Sequence, residues 1–247
     1  MSRGIAVVTY NRGNRLYSLL RNIIKYKPKD ARIVVCDDGS TDETHEVMSK
    51  ERGFRDITYI KGKNLGVGAN KNRALFLLQD CDFIAILEDD LFPISKGWFE
   101  IYEQVALRCN INHFCRVQDK EVEETVPEFS QYLSQFGCTP IYGPSPRGDF
   151  TFITSKVIKQ VGAFHPAFEG VGYAHGQWSQ RCADAGLCGH PLKWIDIKEA
   201  RDKFEQRGDT DGGRWEISTD VIKRQIELNR RVRDNITNEA HIGLFLP

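Results

Sequence analysis

Nowhere in the sequence does an apolar run approach the roughly 20 residues that a membrane-spanning helix needs. Excess charge is missing too: 34 Lys and Arg balance 34 Asp and Glu. No basic stripe follows a single helix, so the chain carries no nucleic-acid footprint. The seven cysteines contain no C-x-x-C pair. Their odd number and irregular spacing read as reduced thiols in a cytoplasmic setting, not as a disulfide framework. There is no internal repeat. The opening "MSRGIAVVTYNR" runs straight into a strand and leaves no room for a signal peptide. The sequon Asn235-Ile236-Thr237 accordingly reads as chance. What is present is a 247-residue chain with 40% hydrophobic and 28% charged side chains, the composition of a soluble globular protein with one large core.

The first half alternates short apolar runs with helical stripes. "GIAVVTY", "ARIVVCDDGS", "ITYI" and "FIAILEDD" read as strands. "RLYSLLRNIIKY", with Leu16, Leu19, Leu20, Ile23 and Ile24 at helical spacing, "STDETHEVMSK" and "GANKNRALFLLQD" read as the helices between them. Such alternation implies an α/β fold: a single-domain, Rossmann-like, mostly parallel central sheet flanked by helices. From Asn110 to Gly148 the pattern breaks down among Pro127, Pro140, Pro144 and Pro146, and this stretch reads as an insertion over the site. "DFTFITSKVIKQVGAF" resumes a strand and a helix, "YAHGQWSQRCADAG" a helix stopped at Gly186, and "LKWIDI" a strand. The tail from Ser218 to Ile236 is helical, its charges a solvated face. The chain thus divides into a first half at 1–109, the insertion at 110–148, a second half at 149–217 and a helical tail at 218–247.

Ligands of parallel α/β sheets bind beyond the carboxyl ends of the strands. Three polar clusters fall there: "TYNR", "CDDGS" and "LEDD". Glu88, Asp89 and Asp90 follow a fully apolar strand, and three adjacent acids at a buried edge call for a positive partner. A hard divalent cation, Mg2+ or Mn2+, takes one or two carboxylates together with substrate phosphates. In "CDDGSTD" a strand-end carboxylate can accept a base N–H or ribose hydroxyls, though the same residues also make an ordinary turn. In "NLGVGANKNRA", Gly66 and Gly68 allow close backbone approach, and Lys71 or Arg73 can meet a phosphate; a flexible loop would read the same way.

In this order, "VVTYNR", "VVCDDGSTDET", "NLGVGANKNRA", "ILEDDLFP", "VGAFHPAFEG" and "YAHGQWSQRCADAG" resemble the inverting glycosyltransferases of family 2, which have the GT-A fold. The resemblance covers roughly Gly4 to Ile197, apart from the Asn110 to Gly148 stretch. It implies metal-dependent transfer of a sugar from a nucleotide-sugar donor, a UDP-sugar, to a glycan or other hydroxyl acceptor. Thr9, Tyr10 and Arg12 would line the nucleotide, and Asp37 and Asp38 would hold base and ribose. Lys71 stands where the family has a phosphate-facing arginine, and Asn70 replaces an alanine. Asp90 and Glu88 would bind the metal, with Glu88 and Asp89 facing ribose or sugar. The usual acidic base motif is absent: its place is taken by Ala174-His175-Gly176-Gln177. That makes His175 the candidate base, with Glu169 its rival and Asp149 a more distant one. Two further classes stay open, a nucleotidylyltransferase and a non-catalytic nucleotide- or sugar-binding domain. "TYNRGNR" is a poor phosphate loop for the former.

Overall fold

A computed structural model describes residues 1–117, 127–143, 145–189, 194–207, 219–236 and 242–243. Its first half follows the expected alternation: β1 (Arg3–Thr9), α1 (Gly13–Tyr26), β2 (Arg32–Asp37), α2 (Thr44–Lys50), β3 (Thr58–Lys61), α3 (Val67–Leu78) and β4 (Phe83–Glu88). Next come β5 (Leu91–Pro93), α4 (Trp98–Cys109), β6 (His113–Val117), α5 (Pro127–Ser134), β7 (Pro140–Gly143), β8 (Pro146–Thr154) and α6 (Ser155–Gln160). The chain finishes with α7 (Ala174–Asp184), β9 (Trp194–Ile197), α8 (Lys198–Arg201), β10 (Phe204–Gln206) and α9 (Thr219–Asn235).

Six strands form the central sheet in the order β3-β2-β1-β4-β8-β6. The first four are parallel, β8 runs antiparallel to β4, and β6 antiparallel to β8. Alternate residues of each strand face opposite layers, as the two-residue period of a strand requires. Ile5, Val7, Ile33, Val35, Ala85 and Leu87 pack into one layer with Leu16, Leu19, Leu20 and Ile23 of α1. Ala6, Val8, Val34, Cys36, Ile84 and Ile86 pack into the other with Leu75 and Leu78 of α3 and Trp178 of α7. Both faces are therefore covered, which is why the strands read as unbroken apolar runs. Each fully buried Leu or Ile contributes about 2 kcal/mol of apolar transfer.

Sequence and structure differ most after α4. The stretch read as an insertion from Asn110 begins with β6, an edge strand of the central sheet that is buried along its whole length. His113 and Arg116 interrupt its apolar pattern, so the strand has no sequence period to betray it. Pro140 to Gly143 is also a strand, paired with β9, and β8 starts at Pro146 inside the same stretch. Residues 118–126 and Pro144 lie outside the described residues. Among the described residues no helix is long and apolar enough to cross a membrane.

Candidate active site

The carboxyl ends of β1, β2 and β4, the start of β8 and the start of α7 converge on one edge of the sheet. Because β8 is antiparallel to β4, its first residues, Arg147 to Asp149, come to the same edge as the last residues of β4. Glu88 has 34% of its side chain exposed, and its Oε1 accepts from Lys71 Nζ at 2.8 Å. Lys71 Nζ also donates to the Gly148 carbonyl at 2.6 Å. Gly148 has to be small here. A Cβ at that position would meet Glu88 Oε1 at 3.2 Å, Lys71 Nζ at 3.5 Å and His175 Cβ at 3.7 Å. The same contacts place the His175 Cβ near the Glu88–Lys71 pair.

Asp89 turns the other way. It is buried, accepts from Thr9 Oγ1 at 2.7 Å and pairs with Arg12 at 3.4 Å. Burial pushes its carboxyl up to about 7, against the pull of Arg12 and Thr9. Thr9 and Arg12 thus brace the loop after β1 against the acidic turn, while Tyr10 between them is exposed.

Asp90 is the acid left wanting. Its Oδ1 is buried and has no hydrogen-bond partner among the described residues, and its Oδ2 receives only a 3.4 Å contact from Gln206 Nε2. Burial raises its pKa, and the neighbouring Glu88 and Asp149 raise it further. Asp149 is itself held by Arg116 at 2.7 Å and Arg147 at 2.8 Å, yet its Oδ1 is buried without a partner among the described residues. Two buried carboxylate oxygens without donors, in acids that repel each other, fit a hard divalent cation. No group of three or more His, Cys, Asp or Glu side chains among the described residues is arranged to hold a metal ion. A cation here would take at most two protein carboxylates and complete its shell with phosphate oxygens and water.

At the end of β2 both aspartates are fully engaged. Asp37 Oδ1 accepts from Ser40 N and Oγ at 2.8 and 2.5 Å, and Oδ2 from Tyr59 Oη at 2.7 Å. Asp38 accepts from the Leu65 and Gly66 amides at 3.1 and 2.8 Å and from Arg73 at 2.9 Å. Arg73 also reaches the Lys63 carbonyl and Asn70 Oδ1, and Asn70 Nδ2 donates to the Cys36 carbonyl. Neither Lys71 nor Arg73 is left as a loose phosphate ligand: one neutralises Glu88, the other pins the loop between β3 and α3.

His175 opens α7. Its Nε2 lies 3.3 Å from Ser179 Oγ, and its Nδ1 is buried with no partner among the described residues. Burial holds the imidazole well below its usual pKa, assisted by the Lys71 cation and by His113. Glu169 is placed apart. It is exposed and lines a separate cavity of about 330 Å3 with Asn64, Gly66, Asn72, Pro166 and Gln225.

The pattern of glycosyl transferase family 2 matches residues 4–145, more than half of the chain. The chain belongs to that family. It is 26% identical over 193 residues to an uncharacterized glycosyltransferase of Acanthamoeba polyphaga mimivirus, across 74% of this chain and 73% of the relative. A mannosyltransferase from Pyrobaculum calidifontis in complex with GDP-Man and Mn2+ superposes with a TM-score of 0.53 at 18% identity, over 74% of this chain and 52% of that one. GalNAc-T7 with UDP, GalNAc and Mn2+ superposes with a TM-score of 0.66 at 12% identity, over 93% of this chain and 48% of that one. The chain thus spans about half the length of those two solved structures, which at such identities show the fold, GT-A.

Within this family 2 glycosyltransferase, Glu88, Asp90, Lys71 and His175 come together at one edge, with Thr9, Arg12 and Asp89 joined to them. Asp37 and Asp38 buttress the adjoining loops, and Glu169 is not brought in. Gln206, Arg116 and Arg147 escaped the sequence reading. Gln206 arrives through β10, which pairs with β5 immediately after the acids, and a three-residue strand leaves no periodic signal. Ser179, which meets His175, and His113, which meets Ser179, also escaped the sequence reading.

Proposed function

We propose that this chain moves a sugar from a nucleotide-sugar, a UDP-sugar, to a hydroxyl of a glycan or other acceptor, with inversion and with the help of Mn2+ or Mg2+. The observation that carries the reading is Asp90 Oδ1, buried without a partner among the described residues in an acidic cluster at the sheet edge, next to Glu88, which Lys71 offsets. The Mn2+ and the nucleotide or nucleotide-sugar in the two solved structures support it. Asp90 and Glu88 would hold the cation, which when bound offsets the charge of the diphosphate leaving group. Lys71 holds Glu88 in place. Thr9, Tyr10 and Arg12 line the nucleotide, Asp37 and Asp38 shape the base and ribose pocket through the loops they hold, and Asp89 fixes Thr9 and Arg12 beneath it. His175, held neutral, takes the acceptor proton at Nδ1 as the hydroxyl oxygen attacks the anomeric carbon and the bond to the diphosphate breaks. A cytoplasmic setting belongs to the same proposal and is supported by seven free thiols, six of them buried.

The test is a donor screen read by released nucleoside diphosphate, followed by two variants. Asp90→Asn should weaken Mn2+-dependent UDP binding by about tenfold or more, as one charge is lost from the metal shell. His175→Ala should abolish turnover and leave UDP and Mn2+ binding intact. Full activity in excess chelator would remove the metal from the reading. Normal turnover in His175→Ala with a dead Glu169→Gln would move the base to Glu169.

A further inference from the structure

Behind His175 runs a buried chain of polar groups. His175 Nε2 lies 3.3 Å from Ser179 Oγ, one turn along α7. The same Oγ lies 3.2 Å from Nε2 of His113 on β6, and His113 Nδ1 lies 3.5 Å from Cys188 Sγ. Ser179, His113 and Cys188 are all completely buried. A serine hydroxyl has one proton to donate. Its oxygen also has two lone pairs, so the two imidazole nitrogens that meet it cannot both be lone pairs, and if both were N–H the buried hydroxyl proton would have no acceptor among the described residues. One is therefore N–H and the other a lone pair, which couples the tautomers of the two histidines. Only two orders satisfy the chain. In the first, His175 Nε2–H donates to Ser179, Ser179 donates to His113 Nε2, and His113 Nδ1–H points at Cys188. In the second, every donor is reversed and His175 carries its proton on Nδ1.

Two observations select the first order. His175 Nδ1 is buried without a partner among the described residues, and an orphaned buried N–H is costlier than an orphaned lone pair. The Lys71 ammonium acts on this ring, and a cation favours a lone pair over an N–H dipole. We infer that Ser179 and His113 are positioning residues that hold His175 in the Nε2–H tautomer, leaving the lone pair on Nδ1. This rests on the reading of His175 as the base. When Nδ1 takes the acceptor proton, the resulting imidazolium already donates Nε2–H to Ser179, so no group in the chain has to turn. The opposite tautomer could not accept a proton at Nδ1 at all.

The test is long-range 1H–15N correlation spectroscopy on 15N-histidine-labelled protein, with the two resonance sets assigned from His175→Gln and His113→Gln. The expected wild-type spectrum shows Nε2–H for His175 and Nδ1–H for His113. Ser179→Ala should blur the single-tautomer pattern of His175 and lower kcat by about tenfold with the donor KM unchanged, as expected for a misplaced base proton. Ser179→Thr, which keeps the hydroxyl, should restore both. An Nδ1–H tautomer on His175 in the wild type overturns the inference, whatever the variants do. So does a Ser179→Ala protein with unchanged spectrum and kcat. Full turnover in His175→Gln would instead bring down the base assignment, while the wild-type spectrum still decides the tautomer order.

Discussion

The Lys71 ammonium lies 2.8 Å from Glu88 Oε1, and only 2% of its side chain is exposed. A buried cation bound to a metal-site carboxylate competes with the metal for it. Lys71→Met should therefore tighten binding of Mn2+ alone by about tenfold, since a near-surface pair at contact distance interacts by a few kcal/mol before screening. Turnover should fall, because Glu88 and the Gly148 carbonyl lose their shared donor. Calorimetric titration with the metal alone measures this, and unchanged or weaker binding would show that Lys71 does not compete.

Asp38 holds Arg73, itself 2% exposed, together with two amides of the loop before α3. Asp38→Ala leaves a buried guanidinium short of its charge partner, a loss of about 3–5 kcal/mol by denaturant unfolding. UDP binding should weaken in the absence of metal as well, since the loop beside the base pocket is released. A variant with wild-type stability and a binding loss seen only with metal would assign Asp38 to the metal shell.

The buried titratable groups pull stability in opposite directions with pH. His113 is pushed down to about 3 by burial, so its contribution is complete above its unfolded value near 6.5 and is lost progressively as pH falls toward 3. Burial raises Asp89 to about 7 and Asp196 to about 6, so their contribution is complete below about 4 and is lost as pH rises through those values. Each of these groups should tilt the wild-type profile in chelator by up to about 1.4 kcal/mol per pH unit within its own window. His113→Phe removes one of the downward pulls at low pH. Its stability should rise as pH falls from 7 to 5 relative to wild type, as followed by thermal unfolding.

Asn229 of α9 is 2% exposed, and its Nδ2 reaches the carbonyls of Glu169, Val171 and Gly172 at 2.7, 2.9 and 3.1 Å. Those residues lead into α7 through Gly170, Gly172 and Tyr173, all at positive φ. Asn229→Ala should loosen this segment by about 1–3 kcal/mol, the cost of unsatisfied buried carbonyls. Faster amide exchange at 169–175 together with a lower kcat is the expected result. Exchange unchanged from wild type would show that the helix is not what holds the approach to His175.

By itself the sequence determined the sheet and the place of the acids. Buried parallel strands must be apolar on both faces, and their ends must release polar residues, so "VVTYNR", "IVVCDDGS" and "AILEDD" mark three strand ends without any structure. The helical stripe of Leu16, Leu19, Leu20 and Ile23 is equally local, as is the stop of α7 at Gly186, with a φ of 72°. What only the tertiary structure decided is which side chains are already committed. Arg73 and Lys71 have the same chemistry on paper, yet one is bound to Asp38 and the other to Glu88, because residues two apart on α3 lie on nearly opposite sides of the helix and reach different strand ends. β6 stayed illegible for the same reason: His113 and Arg116 spoil its pattern, and both are polar because of partners 33 to 75 positions away, Asp149, Ser179 and Cys188. Periodicity reports what a residue owes to its own element. It is silent on contacts between elements, and those contacts left Asp90 Oδ1 without a partner among the described residues and gave His175 a buried partner chain.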